Sequence, residues 1–405
     1  MAGALRVGKV MIERDVPVRM RDQTVLRCNI YRPEDAGKVP VLVQRQPYNK
    51  DMAQAYVYAN PAWYARRGYA VLVQDSRGRY ASDGTFYPLR HDGEDGYDTI
   101  EWAAAQPWSN GKVGSFGFSI PGINQLLAAA LKPPHLVAAI PGFYPAGMYH
   151  GFTHVGGAFG LAAVMDWGLL LASDAAKRAG DRAMMDRIRA AAGLKGAFSP
   201  TLALREIPFL VEPPLLPFLR DYLEHPCHDS YWQEWELGPR IPDVAVPCLH
   251  VGGWYDSFIT QTITSYESFA KLKRAEHRLV VGPWYHIPWT QQVGAIDFGD
   301  DARNMVDELQ LAWFDAHLKG KRAALDALPP VRLFVTGENH WRDYDAWPLP
   351  KIKQEAWYLH SGGRANSRSG NGTLSKTKPG GEHGLCSVAL HPDTPARGHD
   401  HAPKT

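Results

Sequence analysis

The segment VGSFGFSIPGINQLLAAALK, residues 113–132, decides how this chain folds. Its first half reads as a buried strand ending at Gly117-Phe118-Ser119, and its second half as a helix beginning at Pro121. A serine lifted out of a sharp strand-to-helix turn stands above the sheet. The helix N-terminus behind it aims free N–H groups and a positive dipole end at any charge developing there. Small residues around the turn let the backbone bend tightly. The pattern is G-x-S-x-x-G, with Pro121 standing nearer the serine than Gly122. Proline is tolerated in a first helical turn, where its missing N–H has no partner anyway. Ser119 is therefore a candidate nucleophile, and the N–H of Ile120 a candidate oxyanion donor. The competing reading is a serine in an ordinary β–α turn, since three-residue patterns recur by chance.

Working outward, short apolar runs bounded by turn residues recur at 69–75, 136–143, 246–254 and 277–284. Such runs suit strands buried on both faces, as in a parallel sheet. Helix-like segments lie between them, at 96–106 with Asp98 as a candidate cap, at 121–132 and at 256–273. Alternation of this kind predicts an α/β fold with helices on both faces. The first 45 residues, ending in VPVLVQRQ, alternate like antiparallel strands. Residues 145–240 break the rhythm with helices rich in Ala, Leu and aromatics, the composition of an inserted cap. After residue 325 only strand-like pieces and a polar, aperiodic tail follow.

A serine needs a base to accept its proton and an acid to orient that base. In an open α/β sheet, functional groups gather beyond the carboxyl ends of the strands. VPCLHVGGWYDSF places Asp256 after one such end, and HRLVVGPWYHIPW places His286 after the next. The order Ser119, Asp256, His286 is that of the α/β-hydrolase triad. Taken singly, Asp256 reads as a helix cap and His286 as one of 16 histidines; together at three strand ends they read as a catalytic set. The loop Pro47-Tyr48-Asn49-Lys50 offers no glycine-rich donor, so the Tyr48 hydroxyl is the candidate second oxyanion donor. Tyr255, Phe258, Trp284 and Tyr285 flank the acid and base and are candidates to line the substrate pocket.

Composition narrows the function classes. The 405 residues carry a net charge of +2, with no basic stripe, so nucleic-acid binding has no electrostatic footprint. Cys28, Cys227, Cys248 and Cys386 lie far apart, in no spacing that suggests zinc or a disulfide framework. No metal or cofactor is expected. The most apolar stretch, near 157–172, is interrupted by Asp166 and is too short for a membrane span. The N-terminus shows no signal-peptide pattern. The expectation is a cytoplasmic protein with a small-molecule ester or amide substrate and no membrane or nucleic-acid partner; a homo-oligomer is left open. Asp75, Arg77 and Arg79 are read as a salt-bridged loop, HDGEDGYD (91–98) as a loop and helix cap, and His399 and His401 as part of the tail.

Taken together, QRQPYNK (44–50), QDSRGRYASDGTF (74–86), DGYDTIEWAAAQPWSNGKVGSFGFSIPG (95–122), YWQEWELGPRIPDVAVPCLHVGGWYDSF (231–258), VVGPWYH (280–286) and DELQLAWFDAHLKG (307–320) resemble the cocaine-esterase-like serine hydrolases, kin to X-Pro dipeptidyl-peptidases and α-amino-acid ester hydrolases. The resemblance implies an α/β-hydrolase domain, an inserted helical cap and a C-terminal jelly-roll β domain. It also implies Ser119, Asp256 and His286 as the triad, with Tyr48 and the Ile120 N–H as the oxyanion hole. Ile120 departs from the tyrosine common in the family at that place, and the carboxylate cluster of the ester hydrolases is not found by motif. The expected organisation is hydrolase sequence in 1–144 and 241–325, cap in 145–240, and an incomplete jelly-roll region in 326–405. The expected activity is ester hydrolysis through an acyl-enzyme. The alternatives are an amide-directed peptidase or β-lactam side-chain acylase, and a binding protein on a hydrolase fold.

Overall fold

The apolar runs become the middle of one eleven-stranded sheet. The structure is a computed structural model, and it describes residues 5–7, 9–52, 57–193, 216–287, 289–350, 352–365 and 370–380. In chain order the strands are β1 (Leu5–Val7), β2 (Val10–Arg19), β3 (Val25–Pro33), β4 (Val39–Gln46), β5 (Ala70–Asp75), β6 (Ser109–Phe118), β7 (Leu136–Gly142), β8 (Cys248–Gly253), β9 (His277–Gly282), β10 (Val331–Val335) and β11 (His340–Tyr344). Their order across the sheet is β1-β2-β3-β5-β4-β6-β7-β8-β9-β10-β11. From β5 to β10 every neighbour is parallel, and the strands at either end are antiparallel.

One early expectation is corrected here. β4 is not an antiparallel strand; it pairs in parallel with β5 and β6, and all eight of its residues are buried. Burial on both faces is what a central parallel strand requires. Val41 and Val43 join the core that includes Ile100, Ala103, Ile123 and Leu126, from α2 (Asp92–Ala104) and α3 (Ile120–Ala130). Leu42 joins the other core, with Tyr64 of α1 (Pro61–Ala65) and Trp313 and Phe314 of α9 (Val306–Lys319). Each such side chain contributes about 1.5–3 kcal/mol by leaving water. The polar end of β4 costs free energy unless paired. Arg45 donates to Gln74 at 2.9 Å and to the Asp92 carbonyl at 2.8 Å, and lies beside the Asp92 and Asp95 carboxylates.

The chain leaves β4 for β5 on one side and reaches β6 on the other. The order of strands therefore reverses between β4 and β6, and an open α/β sheet has its crevice at such a point. The register pairs Val43 with Ser115, which brings the ends of β4 and β6 level. Tyr48 follows the first strand and Ser119 the second.

Two further points complete the hydrolase part. α2 starts at Asp92, so Asp98 lies inside it and pairs with Arg21 at 2.8 Å instead of capping. The acidic run before it supplies first-turn carboxylates that complement the helix dipole. The main sheet also continues past residue 325: β10 pairs in parallel with β9, and β11 pairs with β10, so its last strand ends at Tyr344. Val331, Leu333 and Phe334 are buried, which packs this segment firmly on the sheet. Beyond it the described residues form a two-stranded antiparallel pair, Tyr358–His360 with Thr373–Ser375. The rest of the expected jelly roll, with His399 and His401, falls at 381–405, outside the described residues.

Between β7 and β8 lie a short hairpin at His154–Phe159 and helices α4 (Leu161–Ala179), α5 (Arg182–Gly193), α6 (Pro217–Glu224) and α7 (Ser230–Gln233). Val164, Met165, Leu171, Phe218, Tyr222 and Trp232 of this insertion belong to the same core cluster as the α2–α3 face of the sheet. Helix α8 (Ile259–Leu272) then leads from β8 to β9.

Candidate active site

The turn at Ser119 is strained and tightly held. Ser119 has φ of 66° and ψ of −129°, a conformation that a residue with a Cβ adopts only when its surroundings impose it. Its own N–H points into the sheet, toward the carbonyls of Gly142 at 3.0 Å and Phe143 at 3.2 Å at the end of β7. A Cβ at Gly117 would sit 2.5 Å from Pro121 Cβ, and one at Gly122 would sit 2.5 Å from the Gly142 carbonyl. Both glycines are therefore demanded by close approach, which explains the two ends of the G-x-S-x-x-G pattern. Helix α3 begins at Ile120, so the Ile120 N–H is among the first-turn amides that helical bonding leaves over.

Beneath the turn lies a residue that no motif announced. Gln125 is buried and donates to the Pro121 carbonyl at 2.9 Å and the Ile140 carbonyl at 3.2 Å. Its carbonyl oxygen accepts from the Ile140 N–H and the Ser115 hydroxyl, each at 3.1 Å. One amide thus joins β6, α3 and β7 under the serine.

Asp256 and His286 come together across adjacent strand ends. His286 Nδ1 lies 2.8 Å from Asp256 Oδ1, and the Asp256 side chain is fully buried. Asp256 is not a helix cap: α8 begins three residues later without a side-chain cap. Its second oxygen is buried and has no hydrogen-bond partner among the described residues. The His286 ring packs against Phe118, the residue before Ser119, with centroids 5.4 Å apart, and against Phe258 at 5.2 Å. Trp289 donates its indole N–H to the His286 carbonyl at 2.9 Å and stacks on Phe143 at 4.6 Å. The histidine loop is thereby anchored to the same strand end that receives the Ser119 N–H.

Tyr48 lies on the other side of the crevice. Its hydroxyl accepts a hydrogen bond from Trp167 of α4 at 3.1 Å. Trp167 packs on Phe152 at 4.9 Å, and Phe152 on Phe258 at 5.7 Å. An aromatic wall thus runs from Tyr48 through the cap to His286. Trp167 and Phe152 were missed in the sequence because nothing in their spacing separates a wall from a helix core. Of the pocket candidates, Phe258 joins this wall. Trp284 does not: it is fully buried, donates to the Ala302 carbonyl at 2.8 Å and packs among core residues. Tyr255 lies against Phe298 at 5.7 Å, and Tyr285 is half-buried.

The QDSRGRY loop is salt-bridged, as its sequence suggests, with its arginines paired to carboxylates outside the loop. Arg79 is buried, donates to the Pro47 carbonyl and the Leu171 carbonyl at 3.0 Å each, and lies 3.2 Å from Asp174 of α4. Arg77 pairs with Asp95 and Asp22, both at 2.6 Å. Asp75 accepts from the Lys50 N–H at 2.6 Å. The cap helix and the Tyr48 loop therefore share one guanidinium.

A family profile described as X-Pro dipeptidyl-peptidase (S15 family) matches residues 22–288. The chain belongs to that family. A second profile, the X-Pro dipeptidyl-peptidase C-terminal non-catalytic domain, matches 323–401, starting before the two strands that the main sheet absorbs. The cocaine esterase of Rhodococcus sp. (strain MB1 Bresler) is 37% identical over 388 residues, covering 93% of this chain and 67% of the relative. A solved α-amino acid ester hydrolase is similar with a TM-score of 0.70 at 25% identity, covering 92% of this chain and 63% of the other. An aminopeptidase from a Thaumarchaeota archaeon has the same fold, with a TM-score of 0.70 at 23% identity and the same coverages, 92% and 63%. The chain thus spans about two thirds of the length of these relatives. The α/β-hydrolase fold expected from residues 113–132 is the fold of this S15 member.

Proposed function

We propose that the protein is a serine hydrolase that cleaves small carboxylic esters through an acyl-enzyme, with Ser119, His286 and Asp256 as its triad. The observation that carries this reading is the 2.8 Å pairing of His286 with the buried Asp256, its ring set against the residue that precedes Ser119. In the proposed reaction Ser119 Oγ attacks the ester carbonyl carbon and its proton passes to His286 Nε2. The Ile120 N–H and the Tyr48 O–H donate to the tetrahedral oxyanion. The intermediate collapses, the C–O bond to the alcohol breaks, and the imidazolium protonates the departing oxygen. Water then repeats the sequence on the acyl-enzyme, returning the serine and releasing the acid. Asp256 holds the Nδ1–H tautomer and stabilises the imidazolium throughout. The similarity to a protein named cocaine esterase supports esters over amides as the substrate class.

Among the described residues no helix is long and apolar enough to cross a membrane. The buried free thiols of Cys28 and Cys248 support a cytoplasmic, reducing location. The deciding experiment is a panel of p-nitrophenyl esters and X-Pro anilides with wild type and Ser119→Ala. Ester turnover that disappears in the variant is the expected result. Turnover retained by Ser119→Ala would overturn the mechanism, and faster anilide than ester cleavage would overturn the substrate class.

A further inference from the structure

At the ends opposite the candidate site, β8 and β9 begin side by side, with Cys248 in register with His277 and His250 with Leu279. Residues two apart on a strand share a face. Cys248, His250 and His277 therefore project to one side, under Phe269 of α8, whose ring lies 5.2 Å from His250 and 4.9 Å from His277. Cys248 and His250 are fully buried and His277 is half-buried. The thiol sulfur and one ring nitrogen from each histidine all lie within 4.8 Å of one another. The linear spacing of the three carries no metal signature; strand pairing creates the cluster.

We propose that Cys248, His250 and His277 form a site for a single divalent cation of the zinc class that staples β8 to β9. The nitrogens fit such an ion. His250 Nε2 and His277 Nδ1 are 3.3 Å apart. Two nitrogens about 2.0–2.1 Å from a tetrahedral zinc lie about 3.3–3.4 Å from each other. The outer shell also fits. His250 Nδ1, the nitrogen turned away from the cluster, lies 2.8 Å from the Tyr144 hydroxyl, and Thr262 of α8 donates to the Tyr144 carbonyl at 3.2 Å. A ligating histidine is usually oriented in this way by an oxygen on its second nitrogen. One sulfur and two nitrogens select zinc, cobalt or nickel over calcium or magnesium.

Binding is balanced by one proton. The Cys248 thiol, now 3.4 Å from the Val246 carbonyl, loses its hydrogen to solvent as the sulfur–metal bond forms. The cation supplies the charge that makes a buried thiolate tenable. Three protein ligands leave a fourth tetrahedral position for water or a small anion. The site is structural, because β8 runs about 17 Å from Cys248 to its other end, the one that leads to Asp256. It would fix the register of the two strands whose far ends carry Asp256 and His286.

The full chain, stripped with a chelator, would be titrated with Co2+ and then Zn2+. The expected result is one cobalt per chain with a thiolate-to-cobalt absorption band, displaced by zinc. Cys248→Ser should remove the band, and His277→Gln should weaken binding about 100-fold or more. Zinc at 100 times its Kd should raise the wild-type Tm by about 3 °C and leave Cys248→Ser unchanged. A second set of donors, His150, His228 and Glu236, lies in the cap and provides the control. Cobalt binding without the thiolate band, or binding kept by His277→Gln and lost in His228→Gln, would overturn the proposal, as would no binding at all. If Cys248→Ser does not fold, the half-buried His277→Gln carries the same distinction.

Discussion

Trp167 of the cap donates its indole N–H to the hydroxyl of Tyr48, on the loop that follows β4, across 3.1 Å. A hydroxyl that accepts a hydrogen bond becomes a better donor, because the two bonds polarise one another. The cap is thus wired to the proposed oxyanion donor as well as placed above it. Trp167→Phe keeps an aromatic ring against Phe152 and deletes only the N–H. We expect kcat for a simple ester to fall about 3- to 10-fold with little change in KM. Tyr48→Phe should cost about 10^2- to 10^3-fold in kcat. The double variant should lose no more than Tyr48→Phe alone, since the indole acts through the phenol. Additive losses in steady-state kinetics would show that Trp167 works by packing.

Asp256→Asn tests the acid without changing its shape. An amide in that place can donate its N–H to His286 Nδ1 and so favour the wrong tautomer, with the proton on the nitrogen that should face Ser119. We expect kcat to drop about 10^4-fold at neutral pH while the far-ultraviolet spectrum and Tm stay near wild type. Burst-phase acylation of a p-nitrophenyl ester is the direct readout. Acylation within tenfold of wild type would remove Asp256 from the triad.

Gln125→Leu tests how the strained serine is held. Leucine fills nearly the same space but leaves the Pro121 carbonyl, both Ile140 backbone groups and the Ser115 hydroxyl without their common partner. Each buried group left unpaired costs about 1–3 kcal/mol, so a loss of roughly 3 kcal/mol in unfolding free energy is expected after relaxation. Because the same amide underpins the Ser119 turn, kcat should fall as well. Urea denaturation alongside labelling by a fluorophosphonate probe would separate the two effects. Unchanged stability would mean that the turn is held by the Ser119 and Gly122 backbone contacts alone.

The sequence was legible where one residue type answers one geometric need. Gly117, Ser119 and Gly122 define the elbow because any Cβ at the two glycines would clash. Asp256 and His286 were visible because they follow apolar runs that could only be buried strands. What stayed hidden depends on pairing across the chain. Trp284 sits two residues from His286, yet its strand end turns it into the core. β10 and β11 looked like part of a separate region because nothing local announces that Val331 lies in register with Leu279. Cys248 and His277 are 29 positions apart and meet only through the β8–β9 register. Trp167 reads as one more apolar residue of a helix until the cap is seen to close on Tyr48.

Asp75 gives a prediction in pH. Burial raises its carboxyl from 3.8 to about 6, against the opposing pull of the Lys50 N–H and ammonium. As pH falls, the folded protein protonates Asp75 near 6, whereas the unfolded chain waits until about 3.8. Between those values the folded state holds more protons, so this group makes stability rise as pH falls and decline as pH rises through 6. From pH 7 to 4.5 the gain is on the order of 2 kcal/mol, and Asp75 is fully buried, so solvent screening takes little of it. Asp75→Asn cannot titrate, and Lys50 keeps Asp15 at 2.7 Å as its partner. The difference in unfolding free energy, wild type minus Asp75→Asn, should therefore rise by about 2 kcal/mol over that interval in urea titrations. A constant difference would mean that Asp75 stays ionised through the range, held by Lys50. In Asp75→Asn the amide oxygen can still accept from the Lys50 N–H, so Tyr48, two residues earlier, should keep its position and kcat at neutral pH should change little.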